Sequence, residues 1–279
     1  MTEELARSHE YCRRIARTRA KNFYYSFLLL SAQQRRAMCS IYAFMRYCDD
    51  LSDEPGANRV AMDRWRLEME NALQGRYSNH PVWPAFHYTV RRFGIPPQYF
   101  RDMIDGVASD LEPRHVDTFD ELYRYCYQVA SVVGLTIIHI FGFDTPSALP
   151  LAEKCGVAFQ LTNILRDIRE DAERARVYVP AEDLRRFGVT EDDLRSGNRT
   201  EAMLRLMQFE AARARHYYDE SRPLLDLIHP RSKPSLLALI SIYSRLLDRI
   251  ERKNYDVFTR RVRVSTLEKS WILMRALVG

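Results

Sequence analysis

The sequence predicts an all-α protein. Apolar residues recur at helical intervals along most of the 279 residues, and no strand-like alternation of convincing length is present. The 10 glycines and 12 prolines are few for this length, and a hydrophobic fraction of 46% is enough for a substantial core. The length fits two ordinary domains or one large helical domain that encloses a cavity.

The amino-terminal third is expected to hold two helices separated by an aromatic segment. The first helix covers residues 3–21 and runs into the segment KNFYYSFLLL. Aromatic side chains concentrated in this way most often pack in a core, and the alternative is the wall of a cavity that holds a cation or an apolar chain. Ser31 is a suitable N-cap for the second helix, and Pro55 with Gly56 ends it.

The middle of the chain is expected to continue as helices at residues 57–73, 81–93, 96–111 and 118–141. Three aspartates in the third of these helices, Asp102, Asp105 and Asp110, are interpreted as solvated charges on a helix surface. In the last helix, small residues such as Ser131 and Gly134 either let another helix pack closely or leave room beside a ligand, and the pattern favours neither.

The carboxyl-terminal half is expected to be helical as well. A long helix begins near Ser147, and two short helices that end at glycine follow Pro180. Further helices are expected at residues 199–227 and 235–254, before a final helix that ends at Val278. This last helix is amphipathic; we expect it to pack on the core, and contact with a membrane surface is the alternative.

Charge and cysteine content narrow the class of protein. The formal net charge of +5 suits an anionic substrate or an acidic membrane surface. No dense Lys/Arg block interleaved with aromatic residues is present, which disfavours nucleic-acid binding. The 5 cysteines show no metal-ligand spacing and indicate reduced thiols. No apolar run approaches about 20 residues, so we expect a cytoplasmic protein, at most peripheral to the inner face of the membrane.

Two acidic segments are candidates for a functional site. The segment QLTNILRDIREDAERARVYVP, residues 160–180, contains Asn163, Asp167 and Asp171 at every fourth position, which a helix places along one face. The segment YAFMRYCDDLSDE, residues 42–54, has a second row at helical spacing, made of Tyr42, Arg46, Asp49 or Asp50, and Asp53. Two such rows in one chain predict a paired metal site.

Magnesium is the metal that suits these rows. It prefers oxygen ligands and is typically shared between one or two carboxylates and substrate phosphates. Side chains four residues apart on a helix lie about 5 to 6 Å apart at Cβ, close enough to hold one ion or two adjacent ones. A single pair of this kind more often forms an exposed salt-bridge ladder, but two rows on helices with apolar opposite faces favour the metal site. Arg46 and Arg166, each shortly before an aspartate, are expected to bind phosphate oxygens.

The two acidic segments resemble the two signature motifs of the squalene and phytoene synthases, and the second match is long and specific. KNFYYSF also resembles the amino-terminal substrate-binding segment of that family, and IYSRLLDRIERKNYDVFTRRVRVS resembles its carboxyl-terminal one. The resemblance covers essentially the whole chain. It implies a single isoprenoid synthase domain, residues 1–279, in which antiparallel helices surround a central cavity and the two acidic rows face each other across its mouth.

The resemblance also implies an activity, the Mg²⁺-dependent head-to-head condensation of two prenyl diphosphates. Magnesium and arginines would draw diphosphate from one substrate and leave an allylic cation. The double bond of the second substrate would attack this cation, and loss of a proton would close a cyclopropane. The aspartates would stabilise the leaving group through bound metal and would not act as general acids.

The motif matches carry the family's functional residues onto this sequence. The implied metal ligands are Asp49, Asp50, Asp53, Asn163, Asp167 and Asp171. The implied diphosphate contacts are Lys21, Arg46, Arg166 and Arg260, and the position of Arg260 depends on the register set by Tyr243. The implied cavity positions are Phe23, Phe27, Tyr42, Tyr127, Gln160 and Tyr243. The residues expected to be catalytic are Asp49, Asp53, Asp167, Asp171, Arg46, Arg166 and Tyr42.

The chain departs from the family pattern at two positions near the implied substrate. Asn22, which is grouped with the substrate-binding residues, stands where many members have serine. Arg19 stands where some members have histidine. Both departures affect expected diphosphate contacts.

The expected product follows from similarity within the family. The compact length and the absence of a carboxyl-terminal anchor are most similar to bacterial presqualene diphosphate synthases or squalene synthases, which implies a role in hopanoid or sterol-type triterpene formation. Farnesyl diphosphate is the expected substrate, with NADPH needed only if the reaction continues to squalene. Phytoene, dehydrosqualene and hydroxysqualene synthases are the alternatives. We expect a monomer or a homodimer.

Two other classes of protein are disfavoured. A non-catalytic scaffold relative would have lost the aspartates, whereas both acidic rows are intact here. A head-to-tail prenyltransferase would be expected to show DDxxD in both motifs, whereas the second motif here is NxxxDxxxD.

Overall fold

The computed structural model of the chain describes residues 2–20, 23–53 and 57–278, with the backbone alone for Phe23, Asp53 and Val278. Helix makes up 75% of the chain, which confirms the all-α prediction. No helix in these ranges is long and apolar enough to cross a membrane. The helices are α1 (Glu3–Arg19), α2 (Phe23–Phe27), α3 (Ala32–Asp53), α4 (Arg59–Leu73), α5 (Trp83–Phe93), α6 (Gln98–Ala108), α7 (Phe119–Cys126), α8 (Val132–Phe141), α9 (Ala148–Glu173), α10 (Ala181–Phe187), α11 (Glu191–Ser196), α12 (Glu201–Ser221), α13 (Leu224–Leu227), α14 (Lys233–Arg252) and α15 (Thr266–Val278).

The helix ends follow the capping signals of the sequence. α3 begins after Ser31, whose Oγ accepts a hydrogen bond from the backbone N–H of Gln34 at 3.3 Å. α11 begins with a capping box, in which the side chains of Thr190 and Asp193 each accept a hydrogen bond from the other's backbone N–H. Gly197 follows α11 with a φ of 70°, a left-handed conformation that glycine adopts without strain.

The predicted helix at residues 118–141 is interrupted by a wider turn that the periodicity did not indicate. α7 ends at Cys126, Tyr127–Ser131 form one π-helical turn, and α8 continues from Val132. Such turns insert one extra residue into a helix and are frequent at functional sites. Side chains after the turn therefore point in directions that a regular helix would not give them.

Glycines on neighbouring helices make room for this π-turn. A Cβ at Gly156 of α9 would lie 2.5 Å from Cα of Ser131, and a Cβ at Gly106 of α6 would lie 2.7 Å from Cβ of Gln128. A Cβ at Gly134 would lie 3.0 Å from a backbone oxygen of α9, and this glycine also lines a cavity. Close packing and room beside a cavity, which the sequence left as alternatives, therefore both hold for Gly134.

Two short strands are an exception to the helical prediction. β1 (Arg114–His115) and β2 (Arg176–Val177) pair in parallel, with Arg114 opposite Arg176. A two-residue strand is too short for an alternation of polar and apolar residues to be recognised. The pair joins the segment before α7 to the segment after α9.

Two large clusters of buried side chains form most of the core and meet at α9. The first surrounds Phe44 of α3, whose ring centroid lies 4.5 Å from that of Phe86 and 5.6 Å from that of Trp65. The second includes Leu161 of α9 and further residues of α12 and α14, and Phe159 packs against both clusters. All five cysteines are buried and free of disulfide bonds. α9 therefore carries the second acidic row through the middle of the protein.

Candidate active site

A cavity of about 580 Å³ lies between α3, α6, α8, α9 and α14. Both acidic segments contribute to its wall, with Arg46 and Asp49 from α3 and Asn163, Asp167 and Asp171 from α9. Tyr42, Gln160 and Arg166, from the same segments, also line it. The structure thus brings the two predicted rows to one site.

The wall of this cavity changes from apolar to charged along its helices. In α3, Met38 precedes Asp49 by eleven residues, which is about 16 Å along a helix axis. α9 shows the same order, from Ala152 to Asp171. Further apolar wall residues come from α2, α13 and α14, namely Phe27, Leu224, Leu236 and Leu239. The cavity therefore has an apolar end and a charged end, the latter at the carboxyl ends of α3 and α9.

At the charged end, Asp167 is held by two arginines. Nε of Arg166 donates to Asp167 at 2.8 Å, and Nη2 of Arg261 donates to it at 2.9 Å. Arg261 also contacts Glu170 at 2.9 Å. The side chains of Asp167 and Arg166 are each only 15% exposed, which argues against the solvated ladder that the spacing alone allowed. An anionic ligand in the cavity would meet these guanidinium groups.

Asp171 lies one helical turn after Asp167 and is partly buried. The pKa of the Asp171 carboxyl is raised to about 7, mainly by burial and then by the negative charge of Asp167, while Arg176 and Arg174 act in the opposite direction. A cation bound beside this carboxyl would favour its charged form. The site therefore carries an electrostatic cost that a positive ligand would remove.

The donors in this cavity fit magnesium. Within the described residues, no three His, Cys, Asp or Glu side chains come close enough together to hold a metal ion unaided. Magnesium is commonly bound by one or two carboxylates together with waters and substrate phosphates, so a complete protein cage is not required. Asp49 on one helix and Asn163, Asp167 and Asp171 on another supply the hard oxygen atoms that this binding mode needs.

Asp50 is not among the described residues that line the cavity. Its carboxylate accepts hydrogen bonds from Arg19 at 3.1 and 3.2 Å and also contacts Arg46. The expectation that Asp50 is a metal ligand stays a prediction; the structure places this side chain in an ion-pair network and places Asp49 on the wall. Adjacent helical positions differ by about 100° in direction, which spacing alone did not resolve.

Neutral polar groups line the middle of the cavity. The amide nitrogen of Asn163 donates to Oε1 of Gln160 at 3.3 Å, and Asn163 is also hydrogen-bonded to Tyr243. The Tyr243 ring stacks on Phe159 with centroids 4.2 Å apart and ring planes 6° apart. Gln160 and Tyr243 therefore fix the orientation of the Asn163 amide. Burial raises the pKa of the Tyr42 hydroxyl to about 12, so this group is uncharged near neutral pH.

Two other predicted positions are displaced from the site. Tyr127 lies outside the cavity wall formed by the described residues, whereas Tyr125, two positions earlier, is part of it. Arg260 is exposed and lies outside the wall, whereas its neighbour Arg261 lines the charged end. Both differences have the same physical reason, since the motif letters located each segment but not which of its side chains faces inward.

The structure adds a group of cavity residues that sequence reasoning missed. The hydroxyl groups of Tyr125 and Tyr178 each donate to Asp110 at 2.8 Å, and the two hydroxyl oxygens lie 3.0 Å apart. Arg114 lies over the Tyr125 ring at 4.4 Å. Asp110 was interpreted as a solvated surface charge, and this is wrong, because the side chain is largely enclosed and burial raises the pKa of its carboxyl. Its partners lie in distant segments, so local spacing carried no signal.

Four predicted site residues cannot be placed in the cavity. Lys21 and Asn22 lie outside the described residues, as do the side chains of Phe23 and Asp53. Their assignments stay predictions. Phe27, the remaining member of the aromatic segment that was assigned to the site, is almost completely buried and lines the apolar end.

The chain matches known proteins along most of its length. The family model described as squalene/phytoene synthase matches residues 16–268. Phytoene synthase of Arthrospira platensis is 38% identical over an alignment of 285 positions, which covers 95% of this chain and 91% of that protein. Longer phytoene synthases match as well, and the chain spans only 65% of the length of one of them.

Solved structures show the same similarity. A dehydrosqualene synthase in complex with a ligand superposes with a TM-score of 0.92 and 30% identity, covering 99% of this chain and 97% of that one. Squalene synthase HpnC from Alicyclobacillus acidocaldarius superposes with a TM-score of 0.85 and 32% identity, covering 91% of this chain and 97% of that one.

Proposed function

Because this chain belongs to the squalene/phytoene synthase family, whose members are prenyltransferases, we propose that it joins two prenyl diphosphates head to head. One observation carries the proposal: both acidic rows line a single cavity whose opposite end is apolar. The charged end suits two diphosphates, and the apolar end suits their hydrocarbon chains.

The arginines at the charged end are suited to bind the departing diphosphate. Arg46, Arg166 and Arg261 line the cavity, and each is paired with a carboxylate. Guanidinium groups bind phosphate oxygens in a bidentate manner, so substrate would exchange these intramolecular pairs for contacts with its own oxygens.

Magnesium is part of the proposal, with Asp49, Asn163, Asp167 and Asp171 as its ligands. Bound there, it would neutralise the charge that develops on the leaving diphosphate. The side chain of Asp53 is retained as a predicted ligand because of its motif position. The carboxylates thus have a role in leaving-group departure and none as general acids.

The remaining wall residues suit the cation that departure of diphosphate creates. Rings of Tyr42, Phe159 and Tyr243 line the cavity between its two ends, and aromatic faces attract cations. The double bond of the second substrate would attack the allylic cation, and loss of a proton would close the cyclopropane of a presqualene-type diphosphate. The enclosed wall would keep water from the cation until the second substrate reacts.

Two product classes remain candidates, and each has support from relatives. Squalene and dehydrosqualene synthases among the solved structures support farnesyl diphosphate as substrate and presqualene diphosphate as product, with NADPH consumed if squalene follows. The curated relatives at 36% to 38% identity are named phytoene synthases, which supports geranylgeranyl diphosphate and phytoene equally well.

One assay tests both the activity and the product. Purified protein is incubated with farnesyl or geranylgeranyl diphosphate and Mg²⁺, with and without NADPH, and released diphosphate and lipid products are measured. We expect diphosphate release that stops when the metal is chelated. The lipid that accumulates identifies the product class. No diphosphate release with either substrate would refute the proposed function.

A further inference from the structure

α15 has an apolar face that nothing in the described chain covers. One side of the helix packs against α14 in a small buried cluster of Ala238, Ile242, Ile272 and Ala276. On the other side the exposed fractions of Leu267, Trp271 and Met274 are 84%, 48% and 66%. These three residues lie at helical spacing along one stripe, with the exposed Leu277 at its edge. We call these four side chains the α15 apolar face.

The carboxyl-terminal segment that contains this face is basic. Residues 259–278 contain five basic side chains and one acidic side chain, a net formal charge of +4, which is most of the +5 of the whole chain. Lys269 is buried and Arg261 lines the charged end of the cavity, while Arg260, Arg263 and Arg275 are exposed. The guanidinium of Arg275 lies 4.8 Å from the centroid of the Trp271 ring. Tryptophan beside arginine on an amphipathic helix is typical of contact with a membrane interface.

The charge also selects between the possible occupants of this face. A second copy of the chain would bring two strongly basic surfaces together, which is unfavourable. An anionic lipid surface provides apolar depth for the side chains and negative charge for the arginines in the same place. The chemistry therefore matches an anionic lipid surface better than self-association.

The α15 apolar face lies one helix away from the cavity. Leu236 and Leu239 of α14 line the apolar end of the cavity, whereas Ala238 and Ile242 of the same helix face α15. The segment that brings Arg261 to the charged end leads directly into α15. A membrane at this face would therefore lie close to both ends of the cavity.

We propose that the α15 apolar face docks on an anionic lipid surface and holds the α14 side of the cavity next to the bilayer. The purpose of this contact rests on the proposed function, since prenyl diphosphates and their condensation products partition into lipid. The contact itself depends only on the exposed side chains and the charges around them.

Vesicle sedimentation tests this docking. The full-length protein is mixed with vesicles of phosphatidylcholine alone or of phosphatidylcholine with phosphatidylglycerol, and the bound fraction is measured at low and high salt. We expect binding to the anionic vesicles that weakens with salt. Trp271→Ser with Met274→Ser should reduce it at least about tenfold, because two apolar side chains lose their buried environment. Arg260→Gln with Arg263→Gln should reduce binding to anionic vesicles.

A matched control is available on α4. Val60 and Leu67 are 77% and 63% exposed and lie on one face of that helix, so Val60→Ser with Leu67→Ser removes a similar apolar area elsewhere. This control should bind vesicles like the unchanged protein. Circular dichroism and thermal melting establish that each variant is folded.

Three outcomes would overturn the docking. They are failure of the unchanged protein to bind either vesicle, an equal loss in the α4 control, and self-association that depends on Trp271 and Met274 without vesicle binding. Diphosphate release by the α15 variant in detergent separates this test from that of the proposed function. Vesicle binding without any diphosphate release would retain the docking and refute the activity.

Discussion

At the scale of single residues, the charged end of the cavity holds the side chains on which activity should depend most. Asp167 and Asp171 line it together with Arg166 and Arg261, and Asp110 belongs to the same wall. Substitutions at these positions separate a role in the site from a role in stability.

Asp167 provides the first test at this scale. We expect Asp167→Asn to lower the turnover number by about 100-fold or more, because the metal and the leaving group lose a charged ligand. Thermal melting should stay close to that of the unchanged protein. Glu173→Gln is the matched control, since Glu173 lies on the same helix, is exposed, and pairs only with Arg169 among the contacts described for it. Near-normal turnover of the Asp167 variant would show that Asp167 acts only as a structural ion-pair partner.

Asp110 provides the second test at the scale of single residues. Asp110→Asn replaces a carboxylate that accepts from both Tyr125 and Tyr178 by an amide with one acceptor oxygen. We expect the turnover number to fall about tenfold, because one tyrosine hydroxyl on the wall loses its fixed position. Asp102→Asn, on α6 and hydrogen-bonded to Gln98 at the surface, should have no effect. An equal loss in both variants would contradict a role for the Asp110 group in the cavity.

His9 provides a test of stability against pH. Burial and then Arg36 lower the pKa of this histidine from 6.5 to about 4 in the folded protein. The unfolded chain therefore binds more protons between these values, so the free energy of unfolding should fall as the pH drops from 6.5 towards 4. His9→Gln should lose less stability over this range than the unchanged protein in urea titrations at pH 7 and pH 5. The exposed His216→Gln should behave like the unchanged protein.

The residues of the acidic rows could be predicted better than their neighbours in the cavity. Asp49, Asp167 and Asp171 all line the cavity, because helical spacing is a local property that the sequence determines directly. Tyr125 and Arg261 were missed by one or two positions, since the inward direction of a side chain depends on how the helices pack. Asp110 could not be assigned to the cavity, because its tyrosine partners come from two other segments.

At the scale of elements, the sequence predicted helices well and their interruptions poorly. Capping residues such as Ser31 and Thr190 determine where a helix begins through contacts within one turn, so they can be recognised locally. The π-turn at Tyr127–Ser131 depends on glycines in α6 and α9, far away in sequence. The periodicity of the segment therefore predicted one continuous helix.

The fit of the π-turn against Gly156 can be tested by substitution. In Gly156→Ala the new Cβ would lie 2.5 Å from Cα of Ser131 and 2.8 Å from the backbone oxygen of Ala130, and neither atom can move without the turn. We expect a loss of about 1 to 3 kcal/mol in unfolding free energy and lower activity, because Ala130 lines the cavity. Gly134→Ala, with a closest approach of 3.0 Å, should cost less. Equal effects of the two substitutions would disprove the specific fit.

At the scale of the whole molecule, the cavity suits two kinds of ligand, and we expect the binding of each to depend on the binding of the other. The carboxylates of α3 and α9 favour a cation, whereas the arginines at the same end favour an anion. No complete metal cage is found in the part of the chain that the structure describes. Stability should therefore depend on both ligands together.

Thermal melting with ligands tests this dependence. We expect Mg²⁺ with inorganic diphosphate to raise the melting temperature more than the sum of the two separate shifts, since binding to the folded state alone stabilises it. Asp167→Asn should remove most of the joint effect, and Glu173→Gln should retain it. Additive shifts in the unchanged protein would indicate that the two ligands bind independently.

The one-sided charge of the cavity has a consequence for the shape of the product. Among the described wall residues, carboxylates and arginines are found at one end only, so in the proposed condensation two substrates would place their diphosphates side by side and their tails in parallel. A bond formed between the two heads would then lie at the charged end, and the joined molecule would be a hairpin with both arms in the apolar end. A hydrocarbon product formed in this bent shape would have to extend as it leaves the cavity, and a neighbouring lipid phase would provide the space for it.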